Sequence, residues 1–68
     1  MTPSEMRRAL TRAWTDGTGD EWLAMRSATE QVTNSGSFAP GVIQTASDEQ
    51  VRAVYHQYLI NLLTGQTQ

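Results

Sequence analysis

Apolar residues recur at intervals of three and four positions in three segments of this chain, and the intervening stretches are rich in glycine, serine and threonine. This spacing places the apolar side chains on one face of an α-helix. It predicts helices over about residues 3–15, 21–33 and 48–64. Because three such helices can bury their apolar faces against one another, we expect an all-α fold, a small three-helix domain that takes in residues 1–68.

Residues suited to begin or end a helix stand at the boundaries of these segments. Side chains that can accept hydrogen bonds from free backbone amides are found at each start: Thr2 with Glu5, Asp20, and Ser47 with Gln50. Pro3 suits the first helical position, and Gly65 can adopt the left-handed conformation that ends a helix. These signals make the helix over residues 48–64 the best-defined element of the sequence.

The predicted inward faces carry most of the large apolar residues. We expect Trp14, Trp22 and Tyr58 to be largely buried, because large aromatic side chains must supply much of so small a core. On the third predicted helix the inward face is broad and consists of Val51, Val54, Tyr55, Tyr58, Leu59, Leu62 and Leu63.

Residues 34–46, between the second and third predicted helices, form a long stretch without any charged residue. A structureless connection of this length is uncommon inside a small domain. We expect an irregular loop that Phe38, Val42 and Ile43 attach to the core. The alternative is an α+β fold, in which "NSGS" turns a short β-hairpin and "GVIQT" forms one of its strands.

The third predicted helix carries apolar residues on a second side as well. Ala53 and Ile60 project away from the main apolar stripe, and His56 and Leu63 link the two sides. One interpretation is a surface that binds another protein chain, formed by Ala53, His56, Ile60 and Leu63. The other is that this helix is central and that the second side packs against residues 38–43.

Composition narrows the functions that are open to the chain. The sequence has 68 residues and no cysteine, which removes disulfides, thiolate metal sites and thiol nucleophiles. A domain of this size buries only about 60% of the surface that its unfolded chain exposes, so association with another chain would add stability. The net charge of −2 gives no general attraction to nucleic acid or to an anionic membrane.

Three arginines on the first predicted helix concentrate positive charge. Arg7, Arg8 and Arg12 lie within two helical turns, and a guanidinium group can form forked hydrogen bonds with phosphate or carboxylate. These residues are candidate contacts for an anion or a nucleic acid. The alternative is a solvated helix face, which the neighbouring acids and the acidic balance of the whole chain favour.

The segment "AWTDGTGDEW", residues 13–22, has the composition of a calcium loop. Asp16, Thr18 and Asp20 match the first, third and fifth positions of such a loop. However, Glu21 occupies the position that requires glycine, and Ser27 the position that requires a bidentate glutamate. The glycine- and lysine-containing phosphate loop is also absent. We therefore interpret the segment as a turn between two helices and expect no bound metal.

No arrangement of residues indicates catalysis. His56, the one histidine, has no carboxylate or hydroxyl residue three or four positions away to orient it. The adjacent Asp48 and Glu49 have the ordinary role of acids in the first turn of a helix. We expect a protein that is not an enzyme and that uses no cofactor.

The distribution of apolar residues also bears on localisation. No apolar run approaches the roughly 18 residues of a membrane span. The N-terminal segment lacks the apolar core and small-residue cleavage site of a signal peptide. We expect a cytoplasmic protein without a membrane partner.

The length, the capped first helix, the alternative central hairpin and the capped last helix together resemble, in outline, the small head-to-tail joining proteins of tailed phages. This resemblance implies a structural protein that docks in a ring of subunits. From the residues themselves we expect a small interaction module that binds another protein, of unknown identity, or copies of itself. Weak nucleic-acid binding or a regulatory role through the arginines is the other alternative.

Overall fold

The computed structural model describes residues 1–33 and 40–65, which form four α-helices and no strand. The helices are α1 (Pro3–Asp16), α2 (Gly19–Thr33), α3 (Pro40–Thr45) and α4 (Asp48–Thr64). The predicted all-α class is confirmed, and the three predicted helices correspond to α1, α2 and α4.

Short-range hydrogen bonds define the helix ends. At the start of α1, the backbone amide of Glu5 donates to Thr2 Oγ1 at 3.3 Å, and the amide of Thr2 donates to Glu5 Oε1 at 2.9 Å. At the start of α4, the amide of Gln50 donates to Ser47 Oγ at 3.1 Å. Gly65 ends α4 with a φ of 71°, a left-handed conformation that glycine adopts without strain.

The start of α2 differs from the prediction. The capping residue is Thr18 rather than Asp20, which lies inside the first turn. The amide of Glu21 donates to Thr18 Oγ1 at 3.2 Å, and the amide of Thr18 donates to Glu21 Oε1 at 2.9 Å. Thr18 and Glu21 thus form a capping box with the spacing of Thr2 and Glu5, which starts α2 two residues earlier than expected.

The "GVIQT" segment is helical, so the prediction of a strand there is wrong, and so is the expectation of a loop throughout residues 34–46. Pro40 stands at the first position of α3, where its missing amide is not needed. A short helix forms its own backbone hydrogen bonds, whereas a lone strand would leave them open. Ile43 in α3 is fully buried, as expected of a residue that attaches this segment to the core. Phe38 and the "NSGS" turn lie outside the described residues.

The core lies between α2 and α4, with α1 packed across both and α3 packed against α1. Helices α2 and α4 are antiparallel, because Ala24 near the start of α2 contacts Asn61 near the end of α4, and Val32 near the end of α2 lies with Gln50 near the start of α4. The buried apolar residues come from all four helices: Leu10, Ala13, Ala24, Met25, Ala28, Ile43, Val51, Val54 and Tyr58.

Some predicted core residues take other positions. Tyr58 is buried as expected, but Trp14 and Trp22 are only half-buried and stack at the edge of the core, with ring centroids 5.6 Å apart. On α4 the fully buried positions include Asn61, whereas Leu59 and Leu63 are exposed. The reason is that the inward stripe of α4 runs through Val51, Val54, Tyr58 and Asn61, so that Leu59 and Leu63 fall to its side.

Candidate interaction surfaces

Helix α4 carries an exposed apolar surface, which we call the α4 strip and define as Leu59, Ile60 and Leu63. Their exposed fractions are 38%, 37% and 87%. Leu63 stands four residues after Leu59 and three after Ile60, so its side chain lies next to both on the helix surface and joins them into one exposed patch. Ala53 and His56, which the sequence also assigned to a binding surface, are exposed on the same helix.

The exposure of Ile60 bears on the two interpretations of the second apolar side. Ile60, which the alternative placed in the core against residues 38–43, is 37% exposed. Residues 38 and 39 of that segment lie outside the described residues. Leu59 was missed, because its spacing from Tyr55 and Leu62 put it with the inward residues. Leu23 on α2 is also exposed, at 38%, and stands on a different helix.

A groove of about 480 Å³ runs between the C-terminal half of α1 and α4, and we call it the α1–α4 groove. Small residues on α1, Ala9 and Ala13, leave room for it opposite the larger side chains of α4. Leu59 lines the groove and also belongs to the α4 strip, so the two surfaces are continuous.

The chemical character of this groove is aromatic and acidic. Tyr55 and Tyr58 line it with ring centroids 6.1 Å apart, and Asp16 and Glu21 contribute carboxylates. Burial raises the pKa of the Tyr58 hydroxyl, and the negative charge of Glu21 raises it further.

The structure separates the three arginines of α1. Arg7 points inward: its Nε donates to the Ile43 carbonyl at 3.3 Å, and its Nη2 donates to the Ala46 carbonyl at 2.6 Å. The same Nη2 lies 2.9 Å from a carboxylate oxygen of Asp48. Arg7 thus holds the junction of α3 and α4 against α1, and its guanidinium is occupied within the protein.

Arg8 and Arg12 remain exposed on a second groove, also of about 480 Å³, which passes between α1 and Gln44 of α3. Thr11 and Thr15 add hydroxyl groups to its lining. This groove also contains Asp16, whose carboxylate lowers its net positive charge. The predicted anion-contacting face is therefore narrower than expected and lacks a free Arg7.

Among the described residues, neither the acidic turn at residues 13–22 nor His56 is part of a cluster of metal-binding side chains. Within residues 1–33 and 40–65, no group of three or more histidine or acidic side chains is placed to hold a metal ion. One carboxylate oxygen of Glu21 accepts a hydrogen bond in the capping box. His56 is exposed on α4. The expectations of no metal and no enzymatic activity stay predictions.

No protein-family model matches the sequence, and neither the curated proteins nor the solved structures contain a match. In the part of the chain that the structure describes, none of the helices has the length and apolar character needed to cross a membrane.

Proposed function

We propose that this protein is a small, non-enzymatic interaction module that binds another protein chain, or a copy of itself, through the α4 strip. The observation that carries the proposal is the exposure of Leu59, Ile60 and Leu63 together on the longest helix. Single exposed leucines are ordinary, but adjoining apolar side chains on one helix form a patch that gains free energy when it is covered.

The size of the domain supports the same proposal. Its core contains few large side chains, and the two tryptophans lie at its edge rather than inside. Covering additional apolar surface would stabilise the folded chain, because any partner that binds only the folded state shifts the equilibrium toward it. The strip is small, so we expect modest affinity for a single contact.

A paired substitution of the strip tests the proposal. Ile60→Gln with Leu63→Gln keeps good helix-forming residues and replaces exposed side chains, so helical content by circular dichroism should be unchanged. Self-association by sedimentation equilibrium, or affinity for an isolated partner, should fall at least about tenfold, because the apolar contact area is lost.

Leu23→Gln is the matched control, since Leu23 is as exposed as Leu59 but stands on α2. It should leave association unchanged. Equal effects of the paired variant and the control, or a wild-type chain that binds neither itself nor another protein, would contradict the proposal.

Docking in a ring of subunits, as in the small head-to-tail joining proteins of tailed phages, would be one form of self-association. The resemblance to those proteins rested in part on a central β-hairpin, and the "GVIQT" strand of that hairpin is helix α3 in the structure.

Nucleic-acid binding is the second candidate, favoured by the exposure of Arg8 and Arg12 along a groove that also carries hydroxyl groups. With two available guanidinium groups, affinity for a duplex or single strand should be weak and should fall steeply with salt. Arg8→Gln with Arg12→Gln should abolish it. Tight, sequence-dependent binding that this pair removes would instead make nucleic acid the main partner.

A further inference from the structure

The α1–α4 groove gives the α4 strip a neighbouring polar site. Leu59 belongs to both surfaces, so a partner segment that covers the strip passes the mouth of the groove. The chemistry of the groove therefore bears on which partner fits. An apolar strip alone accepts many helices, whereas an adjoining charged site selects among them.

The charge of the groove is negative. Two carboxylates, Asp16 and Glu21, line it against one guanidinium, that of Arg12. The Glu21 carboxylate is held in place, because its Oε1 accepts the 2.9 Å hydrogen bond from the Thr18 amide. Its other oxygen makes no hydrogen bond within the described residues and is available to a partner. Asp16 is exposed and makes no side-chain hydrogen bond or ion pair there.

Two aromatic rings stand beside these carboxylates. Tyr55 is half-buried and Tyr58 is 6% exposed, and both line the groove. The face of an aromatic ring attracts a cation, and carboxylates next to the ring add to this attraction. The mixture of aromatic rings, carboxylates and small apolar residues suits the end of an arginine or lysine side chain, whose stem is apolar and whose head is charged.

We infer that the partner, if the interaction role proposed above holds, is a basic amphipathic helix whose apolar residues cover the α4 strip while an arginine or lysine enters the α1–α4 groove. Such a helix presents apolar and basic side chains at spacings of three and four, so one segment can reach both surfaces. An acidic helix would be repelled by Asp16 and Glu21.

Two synthetic peptides test this inference on the intact chain. Both are amphipathic helices with leucines along one face; one carries arginines beside the leucines, and the other carries citrulline, the neutral isostere, at those positions. Binding is followed by chemical-shift changes of the protein's backbone amides. The arginine peptide should bind about tenfold more tightly and should shift the signals of Asp16, Tyr55 and Leu59. Its affinity should fall with salt, and that of the citrulline peptide should not.

Conservative variants assign the effect to the groove. Asp16→Asn with Glu21→Gln removes both charges, and glutamine at position 21 can still complete the capping box with Thr18. This pair should bring the affinity for the arginine peptide down to that for the citrulline peptide. Glu30→Gln is the matched control, because Glu30 is an exposed acid of α2 that does not line the groove.

The possible results separate this inference from the proposed function. If both peptides bind equally, and Ile60→Gln with Leu63→Gln abolishes both, the strip is an interaction surface and the inference about the groove is wrong. If neither peptide binds, the inference is overturned, and the proposed function is overturned with it unless the wild-type chain associates with itself through the α4 strip. Self-association of the wild-type chain that Ile60→Gln with Leu63→Gln removes, and that neither peptide competes with, would identify the occupant as a second copy and would overturn the inference.

Discussion

Asn61 on α4 donates a hydrogen bond of 3.2 Å from its side-chain Nδ2 to the backbone carbonyl of Ala24 on α2, and both residues are fully buried. Gln57 donates from Nε2 to the other end of the same amide, Asn61 Oδ1, at 3.0 Å. The Asn61 side chain therefore has a partner for each of its polar atoms inside the helix pair that forms the core.

Asn61→Asp should be strongly destabilising at neutral pH. The change keeps the shape of the side chain but replaces a donor with a carboxylate that faces the Ala24 carbonyl. We expect a loss of about 3 kcal/mol or more in the free energy of unfolding, because a buried charge is left without compensation. Acidification should restore part of the loss, since the protonated acid is neutral and can donate. Denaturant unfolding at neutral and acidic pH checks this, with Gln31→Glu, an amide-to-carboxylate change at an exposed position of α2, as a control that should have little effect.

Arg7 should matter to stability far more than its neighbour Arg8. Arg7→Ala removes two hydrogen bonds to carbonyl groups at the end of α3 and the contact with Asp48. We expect a loss of about 1–3 kcal/mol in the free energy of unfolding, against less than about 0.5 kcal/mol for Arg8→Ala.

Asp48→Asn distinguishes the two kinds of Arg7 contact. The Asp48 side chain is 69% exposed, so the ion pair is screened by water and should contribute little. The variant should lose much less stability than Arg7→Ala. An equal loss in chemical denaturation would show that the ion pair, rather than the carbonyl contacts, holds the α3–α4 junction.

The two glycines of the α1–α2 turn should respond in opposite ways to alanine. A Cβ at Gly17 would overlap the backbone carbonyl oxygen of Ala13, whereas a Cβ at Gly19 meets open space. Gly17→Ala should therefore destabilise the protein by about 1–3 kcal/mol. Gly19→Ala should be neutral or should stabilise it by up to about 1 kcal/mol, because alanine restricts the unfolded chain and favours the helix. Thermal unfolding of the two variants measures the difference, and a similar shift in both would contradict it.

Tyr58 should make the fold less stable at alkaline pH. Its pKa is raised, chiefly by burial, so the folded protein favours the neutral phenol. The corresponding stabilisation is fully present below the ordinary tyrosine pKa of about 10 and is lost as the pH rises through the raised value. Ultraviolet titration should show a late-ionising phenol that Tyr58→Phe removes. Glu21→Gln should lower the pKa of Tyr58; an unchanged titration would place the Glu21 charge too far away to act.

Local patterns in the sequence were sufficient to predict most of the helical structure. The predicted helix over residues 48–64 coincides with α4, because Ser47 and Gly65 act on backbone groups a few residues away. The same signature, a threonine with a glutamate three positions later, occurs at Thr18 and Glu21. This signature is sufficient to place the start of α2 at Thr18, whereas the prediction places the cap at Asp20.

The segment at "GVIQT" was not predictable in the same way. Val42 and Ile43 favour a strand, but strand formation needs a partner strand, and none is present among the described residues. Burial of Ile43 against the rest of the core, together with Pro40 at the first position, makes a short helix the better solution. Helix formation in this segment therefore depends on the core surface against which Ile43 packs, and that surface is formed by residues distant in the sequence.

Some features of the candidate surfaces could be predicted from the local sequence, and others depended on tertiary contacts. The second apolar side of α4 followed from helical periodicity in the sequence, which depends only on residues a few positions apart, but its exposure did not. The burial of Asn61, the exposure of Leu63 and the inward position of Arg7 depended on tertiary structure. Asn61 meets a carbonyl 37 residues away, and Arg7 meets carbonyls 36 and 39 residues away. Such contacts exist only after the helices have packed in one particular orientation, and a local pattern does not specify that orientation.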